Sequence, residues 1–361
     1  MSSVPLKFNN KLYTDFVIEL KNQVNSYFDK NHLTTYANTE MKIKTLAMMS
    51  FYAVPYVLMM TIAMPTWVML LLCMVMGVGI AGIGLAVQHD ANHQAYSSKP
   101  WVNRVLGFTM SLIGGSDYMW RIKHNIFHHT YTNIYGKDED ISVANFLRLS
   151  PRDKHKPVHR IQHWVAIFAY STLTLGWVLY FDYPKLFRYN GNGSPDPKVK
   201  HPWQEIVLLL ASKVFYYCYI LLIPMLILDI PWWYVVVGFL IMHATSGLIL
   251  TTVFQLAHVI EGTEFPEAID GKLIDTAWHV HQLKTTANFD IKNKWLTWYV
   301  GGLNFQVEHH LFPRICSIHY PNLSPIVRKT AEKYGLPYHV SDTFGSALLS
   351  HFRMLKKLSL P

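Results

Sequence analysis

Histidines at helical spacing are the side chains of this sequence with the clearest capacity for chemistry. They form three short groups, namely His89 and His93; His124, His128 and His129; and His309 and His310. On a helix, residues three or four positions apart lie on one face, with their Cβ atoms about 5–6 Å apart. Each group can therefore direct two or more ring nitrogens at one point, and together the groups predict a metal site.

The ligand types indicate which metal such a site would hold. Imidazole suits zinc, copper, iron and nickel, and the three groups contain no thiolate that would favour copper(I) or an iron–sulfur cluster. A structural zinc ion takes four ligands in a closed tetrahedron, so these histidines are too many for one such ion. The pattern favours a dinuclear centre with open positions, and iron is the usual metal for oxygen chemistry at such a centre.

Further residues are candidates for the surroundings of this site. His258 follows the last apolar segment, where the returning chain would bring it to the side of the other groups, and we expect it to be a ligand. His279 and His281 share one segment, and a role in orienting ligands or substrate fits them as well as a metal contact does. Polar residues expected to hydrogen-bond the ligand histidines are Asp90, Asn133, Asp138, Asp140 and Glu308.

The histidines outside these motifs are expected to be structural or exposed. His243 lies in the middle of an apolar segment, where a buried, hydrogen-bonded imidazole is expected in preference to a ligand. Surface positions are expected for His32, His201, His319, His339 and His351.

Long apolar segments must position the histidine groups. Hydrophobic residues make up 51% of the 361 residues and charged residues only 15%, against about 25% charged in soluble proteins. A transmembrane helix takes about 20 residues, and proline residues divide two longer apolar stretches into pairs of that length. The four predicted spans are about 43–64, 67–88, 205–229 and 232–257.

The position of the histidine groups constrains the topology. Groups that share one site must lie on one side of the membrane, so an even number of spans must separate residue 129 from residue 309. The remaining apolar segment, 162–181, is the weakest, and we expect it to lie flat at the interface. The prediction is an all-α integral membrane protein with four transmembrane helices in two hairpins and a cytosolic helical cap that holds a di-iron site.

The whole chain, 1–361, is predicted to be a single domain. Residues 1–42 form a cytosolic amphipathic segment, and residues 188–202 are a loop. The N-terminal helix is predicted over 11–31, with one side formed by Leu12, Phe16, Ile18, Leu20 and Val24.

The formal net charge of +9 fits a membrane surface. Nucleic acid is not expected as a partner, because the basic residues lie beside apolar segments rather than in one dense patch. One basic stretch would anchor the chain to anionic lipid, or alternatively meet a phosphate of coenzyme A or of a lipid head group. It contains Arg148, Arg152, Lys154, Lys156 and Arg160.

These motifs resemble the membrane fatty acid desaturase family, in its front-end or linoleoyl-CoA (acyl-lipid) branch. The resemblance covers the chain from about 45 to 330, and the QVEHH form, with Gln306 where other desaturases have histidine, is its most specific marker. The segments that carry it are QHDANHQAYS (88–97), HNIFHHTYTNIYGKDEDI (124–141), FQLAHV (254–259), WHVHQLKTTANF (278–289) and GGLNFQVEHHLFP (301–313).

The resemblance implies the cofactors and the reaction. The seven grouped histidines would be catalytic ligands of two non-haem iron ions, with His258 as an additional ligand. Gln306 would ligate iron weakly or hold a water molecule, and His281 is a further candidate for cofactor binding. O2 would be the co-substrate, and a cis double bond would be inserted into a fatty acyl-CoA or acyl-lipid chain.

The resemblance also implies a partner and a location. Many eukaryotic front-end desaturases carry a fused cytochrome domain, whereas this chain has no HPGG motif and no room for such a domain before residue 43. We therefore expect a separate electron carrier, either a b-type cytochrome or a ferredoxin with its reductase. A multi-pass protein of the bacterial inner membrane, with its active site on the cytosolic side, is expected.

Two other functions are open at this point. A membrane di-iron hydroxylase would insert oxygen into an alkyl, acyl or sphingoid chain, and the QVEHH motif argues against it. A metal transporter or lipid-binding membrane protein belongs to a different class. Transporters place polar residues within their spans, whereas the histidine groups here lie at or beyond the span ends.

Overall fold

A computed structural model describes residues 6–141, 147–189, 202–268 and 273–361. Most of the described chain is helical, as predicted. The helices in its first half are α1 Thr14–Lys30, α2 Thr39–Thr61, α3 Thr66–Asn92, α4 Pro100–Leu112, and α5, which runs through Asp117–Arg121, Ile122–His128 and His129–Tyr131. The middle helices are α6 Pro157–Ser171, and α7, which runs through Leu173–Gly176, Trp177–Phe181 and Asp182–Tyr189, then α8 Trp203–Ile227 and α9 Trp232–His258. The remaining helices are α10 Trp278–Thr285, α11 Lys294–Tyr299, α12 Gln306–Leu311, α13 Tyr320–Lys333 and α14 Phe344–Leu358.

Two small pairs of parallel strands, which the sequence did not predict, join distant parts of the chain. Strand β1 (Lys7–Phe8) pairs with β2 (Leu273–Ile274), and β3 (Ala287–Phe289) pairs with β4 (His339–Ser341). The first pair fastens the N-terminal segment to the region after α9, and the second fastens the segment before α11 to the C-terminal region.

Four helices in the described part of the chain, α2, α3, α8 and α9, are long and apolar enough to cross a membrane, and each overlaps one of the four predicted spans. The bounds differ mainly at α2 and α3. The side chain of Asn38 accepts a hydrogen bond from the backbone N–H of Met41 at 3.0 Å, so this cap starts α2 earlier than predicted. Helix α3 continues past residue 88 and therefore contains His89.

The segment predicted to lie at the interface forms two helices. Helices α6 and α7 meet at a bend of 58°, and α6 exposes Trp164 (78%) and Phe168 (75%). Taken together as one bent element, the two helices would also be long and apolar enough to cross a membrane. The predicted loop at 188–202 lies almost wholly outside the described residues.

The N-terminal helix packs against the chain that follows the spans. Phe16, Leu20, Val24 and Phe28 of α1 are buried in one cluster with residues of α10, α12 and α13. These four residues are spaced by four, so they share one helix face. The prediction that Leu12 and Ile18 belong to this face is wrong, because Leu12 precedes the helix and Ile18 lies about 200° around the axis from Phe16.

The spans α3 and α9 approach each other closely. A Cβ atom at Gly77 of α3 would lie 2.4 Å from the carbonyl oxygen of Met242, so only glycine allows this contact. Close packing of these two helices aligns their ends, where His89 and His258 lie.

Several residues expected at the surface are buried instead. His351 accepts a hydrogen bond from the Tyr170 hydroxyl at 2.6 Å, and the ring of His319 donates to the carbonyl of Tyr36 at 3.0 Å, so the surface prediction is wrong for both. His32 is exposed as predicted, His339 is half-buried, and His201 lies outside the described residues. Arg148 is also buried and donates to the backbone carbonyls of Pro151, Asp153, Leu358 and Leu360, which leaves it unable to meet a phosphate.

Candidate metal centre

Four helices bring the predicted ligands together. Helix α3 carries His89 in its last turn and is followed directly by His93, and α5 carries the second histidine group. Helix α9 ends with His258, and α12 carries His309 and His310. Two of these helices contain π-helical turns next to or within the motif, at Ile83–Gln88 and Ile122–His128. Such turns occur frequently at functional sites, because they redirect side chains within a continuing helix.

The histidine nitrogens form two adjacent sets, and within each set the nitrogens lie within 4.8 Å of one another. The first set contains His89, His93, His124 and His309, and the second contains His128, His258 and His310. His129 lies between the sets, since it forms a further group with His309 and His310. The geometry therefore offers two neighbouring positions for metal ions.

The chemistry of the donors fits metal ions. Among the described residues, the Nε2 atoms of five buried histidines have no hydrogen-bond partner, namely those of His93, His128, His258, His309 and His310. Buried polar atoms are normally hydrogen-bonded, so converging nitrogens without such partners are suited to metal ligation. Burial, and then the neighbouring histidines, lower the pKa values of His93, His124, His129, His309 and His310. The rings are therefore neutral, as metal ligation requires.

An apolar cavity reaches the metal centre from within the helix bundle. Its volume is about 160 Å³, measured as the space open to the centre of a water molecule. Gln88, His89, His124 and Gln306 line it where it meets the histidines, and His243 lines it within the spans. The walls between are largely hydrocarbon, with contributions from Ile80, Leu85, Val178, Leu250, Phe254 and Leu303. A cavity of this kind suits a hydrocarbon chain.

Comparison with known proteins supplies the family. Residues 65–342 match the model of the fatty acid desaturase family. The chain belongs to this family. A sn-1 linoleoyl-lipid 6-desaturase of Synechocystis sp. is 39% identical over 98% of this chain and 97% of its own length, and one of Arthrospira platensis is 38% identical over 95% and 92%. An acyl-lipid (8-3)-desaturase of Physcomitrium patens is 33% identical over 96% of this chain and 72% of its own length.

The family match confirms the predicted class of enzyme, an oxidoreductase that desaturates fatty acyl chains. It favours this function over the hydroxylase and the transporter that the sequence left open.

In this desaturase, hydrogen bonds to the second ring nitrogen orient several histidines. The Nδ1 atom of His128 lies 3.1 Å from the Asp138 carboxylate, and that of His310 lies 2.8 Å from the side-chain oxygen of Gln282. The Nδ1 atom of His309 lies 3.2 Å from the Tyr320 hydroxyl. An Nδ1 atom engaged in this way leaves Nε2 free for a metal, and such contacts fix the ring orientation.

The residues predicted to hydrogen-bond the ligands have different roles. Asp138 contacts His128 as predicted, and Asp140 forms an ion pair with Lys123 while its Oδ2 lies 3.7 Å from the same ring. The Oδ1 atom of Asp90 lies 3.5 Å from the Nδ1 atom of His89, as predicted for a partner of a ligand. Its Oδ2 atom accepts from the backbone and hydroxyl of Ser317 at 2.9 and 2.8 Å.

The other two predicted residues support the backbone around the ligands. Asn133 donates to the carbonyl of His258 at 2.9 Å. Glu308 accepts from Asn288 and from the Tyr338 hydroxyl, at 2.8 and 2.7 Å, and contacts neither neighbouring histidine through these bonds. Burial raises the pKa of Glu308 to about 7, although these bonds oppose the shift.

The remaining candidates lie at different distances from the centre. The ring of His281 is buried against Phe8, with 5.1 Å between ring centroids, and it belongs to none of the metal-ligand groups found in the described part of the chain. His279 is half-buried beside Trp278. Gln306 is buried at the end of the cavity, and its Oε1 atom has no hydrogen-bond partner in the part of the chain that the structure describes.

Sequence reasoning missed Gln282 and Tyr320, which contact two ligand histidines. Gln282 stands beside His281 in a segment already singled out, so the segment was a usable signal. Tyr320 offered none, because its contact depends on how α13 packs against α12.

Proposed function

We propose that this chain is a di-iron front-end desaturase, which inserts a cis double bond between an existing double bond and the carboxyl end of a lipid-linked acyl chain. The observation that carries the proposal is the apolar cavity that ends at His89, His124 and Gln306. Curated relatives of nearly the same length are named sn-1 linoleoyl-lipid 6-desaturases, which supports the acyl-lipid substrate and the front-end position.

The proposed ligands are the two histidine sets defined above. One iron ion would be held by His89, His93, His124 and His309, and the other by His128, His258 and His310. His129, which groups with His309 and His310, would be a further ligand. Iron and O2 would supply an oxidant able to break an unactivated C–H bond, which no side-chain acid or base can do. Each turnover would consume O2, two electrons, two protons and two substrate hydrogens, and would release two water molecules and the olefin.

The protein would position the chain and hold the ligands. The cavity walls would keep the acyl chain extended towards the histidines and exclude water from the reacting carbons. Trp120 stacks on His124 with 4.2 Å between ring centroids, and Phe254 lies 4.9 Å from His128. These aromatic rings restrict both histidines and form part of the cavity wall. Gln306 would face the bound chain with an unpartnered oxygen that can hold a water molecule.

We also propose the topology expected from the sequence, for a single domain over 1–361. Helices α2 and α3 would form one hairpin and α8 and α9 the other, with the metal centre in a helical cap and α6–α7 at the interface. The ends of α3 and α9 both carry histidines of the site, which requires an even number of spans between them. Lys42 and Lys44 lie at the start of α2, at that same end, and favour the cytosolic side of a bacterial inner membrane.

Expression in a host poor in desaturases tests the proposed function. Total fatty acids would be analysed by gas chromatography–mass spectrometry after supply of saturated, 18:1 and 18:2 precursors. We expect a new olefin from the 18:2 precursor, with its double bond on the carboxyl side, and none from a His128→Ala variant. A hydroxylated product, or a double bond on the methyl side, would contradict the proposal. Iron analysis of the purified chain should give two ions, and a chain without iron would refute the di-iron assignment.

A further inference from the structure

A second opening reaches the metal centre. It is separate from the apolar cavity that ends at His89, His124 and Gln306, which we call the acyl cavity. Nine residues line it, and we call it the His129 cleft: Asn92, His93, Gln94, Asn125, His129, Thr130, Trp278, Pro313 and Arg314. None of them lines the acyl cavity. By the same measure its volume is about 320 Å³. Two of the proposed iron ligands, His93 and His129, therefore face a second space.

The lining of the His129 cleft does not suit an acyl chain. Its lining is more polar than that of the acyl cavity, with amide side chains at Asn92, Gln94 and Asn125 and a guanidinium at Arg314. The one large aromatic residue, Trp278, is half-buried at its edge. The acyl cavity already provides the hydrocarbon surface that a fatty chain needs, so another role must be sought for this cleft.

Trp278 connects the cleft directly to a ligand. Its indole Nε1–H donates to the backbone carbonyl of His129 at 3.1 Å, and Gln282 donates to the same carbonyl at 3.1 Å. The backbone N–H of Trp278 is held in turn by the side chain of Asn10 at 3.0 Å. The indole ring is thus fixed between the surface and the metal centre. A single hydrogen bond joins it to the backbone of His129, one of the proposed iron ligands.

The surface around the cleft is basic. Arg314 is exposed, and no ion pair of it occurs within the described part of the chain. Lys7 and Lys11 are exposed and lie before and after Asn10 in the sequence. The ring of His279 lies 4.9 Å from that of Trp278. Its pKa is lowered by burial and then by the positive charge of Lys21, which places a further basic group near the cleft. One carboxylate is also near, since Asp275 accepts from Asn9 at 3.4 Å. The basic groups outnumber it, so the surface is complementary to an acidic partner.

We propose that the His129 cleft is the docking surface for an acidic one-electron carrier protein, and that Trp278 is the contact through which electrons pass to the metal centre. The inference rests on the proposed function, because desaturation needs two electrons per turnover from outside the chain. The carrier would dock twice and be oxidised by one electron each time. Arg314 would bind its acidic face, and Trp278 would lie beneath its redox group as a positioning residue.

The test measures docking separately from catalysis. The full chain would be placed in nanodiscs, and its affinity for an acidic [2Fe–2S] ferredoxin would be measured at low and high salt. We expect Arg314→Glu to weaken binding by about tenfold at low salt, and salt to remove the difference. Arg353→Glu is the matched control, since Arg353 is also exposed but lies on α14. Equal binding by the wild type and both variants would overturn the proposal.

A second measurement examines electron transfer. Turnover would be driven either by reduced ferredoxin or by dithionite, which needs no docking surface. We expect the ratio of ferredoxin-driven to dithionite-driven rate to fall in Trp278→Phe, with ferredoxin affinity retained, because the indole N–H is lost while the ring remains. Trp295→Phe, at a site 86% exposed on α11, should leave the ratio unchanged. An unchanged ratio in Trp278→Phe would overturn the assignment of the pathway. A wild-type chain without product under either reductant would instead refute the proposed function.

Discussion

Replacing Gln282 by leucine should remove metal from the site without unfolding the protein. The Oε1 atom of Gln282 accepts from His310 Nδ1 at 2.8 Å and from the Thr132 hydroxyl at 3.0 Å, while its Nε2 group donates to the carbonyl of His129 at 3.1 Å. One fully buried amide therefore supports two ligand segments that are distant in the sequence. Leucine has a similar size but can form none of these bonds.

The expected size of the effect follows from these contacts. Loss of a hydrogen-bond partner behind a metal-bound imidazole costs roughly 10–100-fold in metal affinity or activity. At about 1.4 kcal/mol per tenfold, this corresponds to about 1.4–2.8 kcal/mol of binding free energy. The His129 carbonyl would keep its bond from Trp278, and the Thr132 hydroxyl its bond to the His128 carbonyl. A loss of about 1–3 kcal/mol in the free energy of unfolding is therefore expected mainly from the buried Nδ1 group of His310. The loss of metal should exceed what this destabilisation alone explains.

Gln162→Leu is the control that separates the two effects. Gln162 is also fully buried. It accepts from the backbone N–H of Arg148 at 2.7 Å and donates to the Leu355 carbonyl at 2.7 Å. These bonds involve no ligand histidine. Purified variants would be equilibrated with increasing chelator, and iron would be measured by mass spectrometry beside thermal melts. We expect Gln282→Glu to be intermediate, because a carboxylate still accepts from His310. If Gln162→Leu lost as much iron as Gln282→Leu, the reasoning would be refuted.

Three further predictions concern charge, backbone and pH. Asp138→Asn should weaken metal binding by roughly 10–100-fold, because His128 loses a charged acceptor, and chelator titration measures this. Gly301→Ala should lower the free energy of unfolding by about 2–4 kcal/mol in denaturation experiments, since Gly301 has a φ of 64° and a Cβ there would lie 2.6 Å from Ala86 Cα. Burial lowers the pKa of His351 to about 4, so the free energy of unfolding should fall as the pH decreases from about 6.5 towards that value. His351→Gln should reduce this pH dependence, which thermal melts at several pH values measure.

Each of these predictions has a control within the chain. Asp153→Asn changes a half-buried aspartate that binds only the Tyr135 hydroxyl among the side-chain contacts described for it, and it should retain metal. Gly335→Ala shares the positive φ, at 65°, but has no atom within 4 Å of the added Cβ, so it isolates backbone strain from the clash. If the two glycine variants were equally destabilised, the close approach to Ala86 would have no energetic role. His32→Gln, at an exposed site, should leave the pH dependence unchanged.

The sign of the pH effect follows from proton uptake on unfolding. The folded imidazole of His351 is neutral, with its Nδ1 atom 2.6 Å from the carbonyl of Val259, while its Nε2 atom accepts from the Tyr170 hydroxyl. Below about pH 6.5 the unfolded chain takes up a proton that the folded chain does not, so acid favours unfolding. A His351→Gln variant with the same pH dependence as the wild type would contradict this assignment.

The sequence predicted those features that depend on local spacing. The four spans and the three histidine groups follow from runs of apolar residues and from helical periodicity. The structure has a long apolar helix at each predicted span and brings the histidines together. His351 was misplaced because α14 buries one face against the rest of the chain, and a short amphipathic helix does not show what covers it. Gln282 was missed because its partners, His310 and Thr132, lie on other segments and meet it only through tertiary packing.

The second histidine group shows where local spacing itself is insufficient. In a regular α-helix, residues five positions apart lie about 140° apart around the axis, so His124 and His129 would point in different directions. The structure places their Nε2 atoms 3.2 Å apart, because Ile122–His128 is π-helical and the wider turn brings i and i+5 to one side. The α-helical pattern accounts for the pair His124 and His128, and the π-helical turn adds His129 to the same centre. The backbone irregularity is therefore part of the site, since without it one helix could not direct three imidazoles at two metal positions.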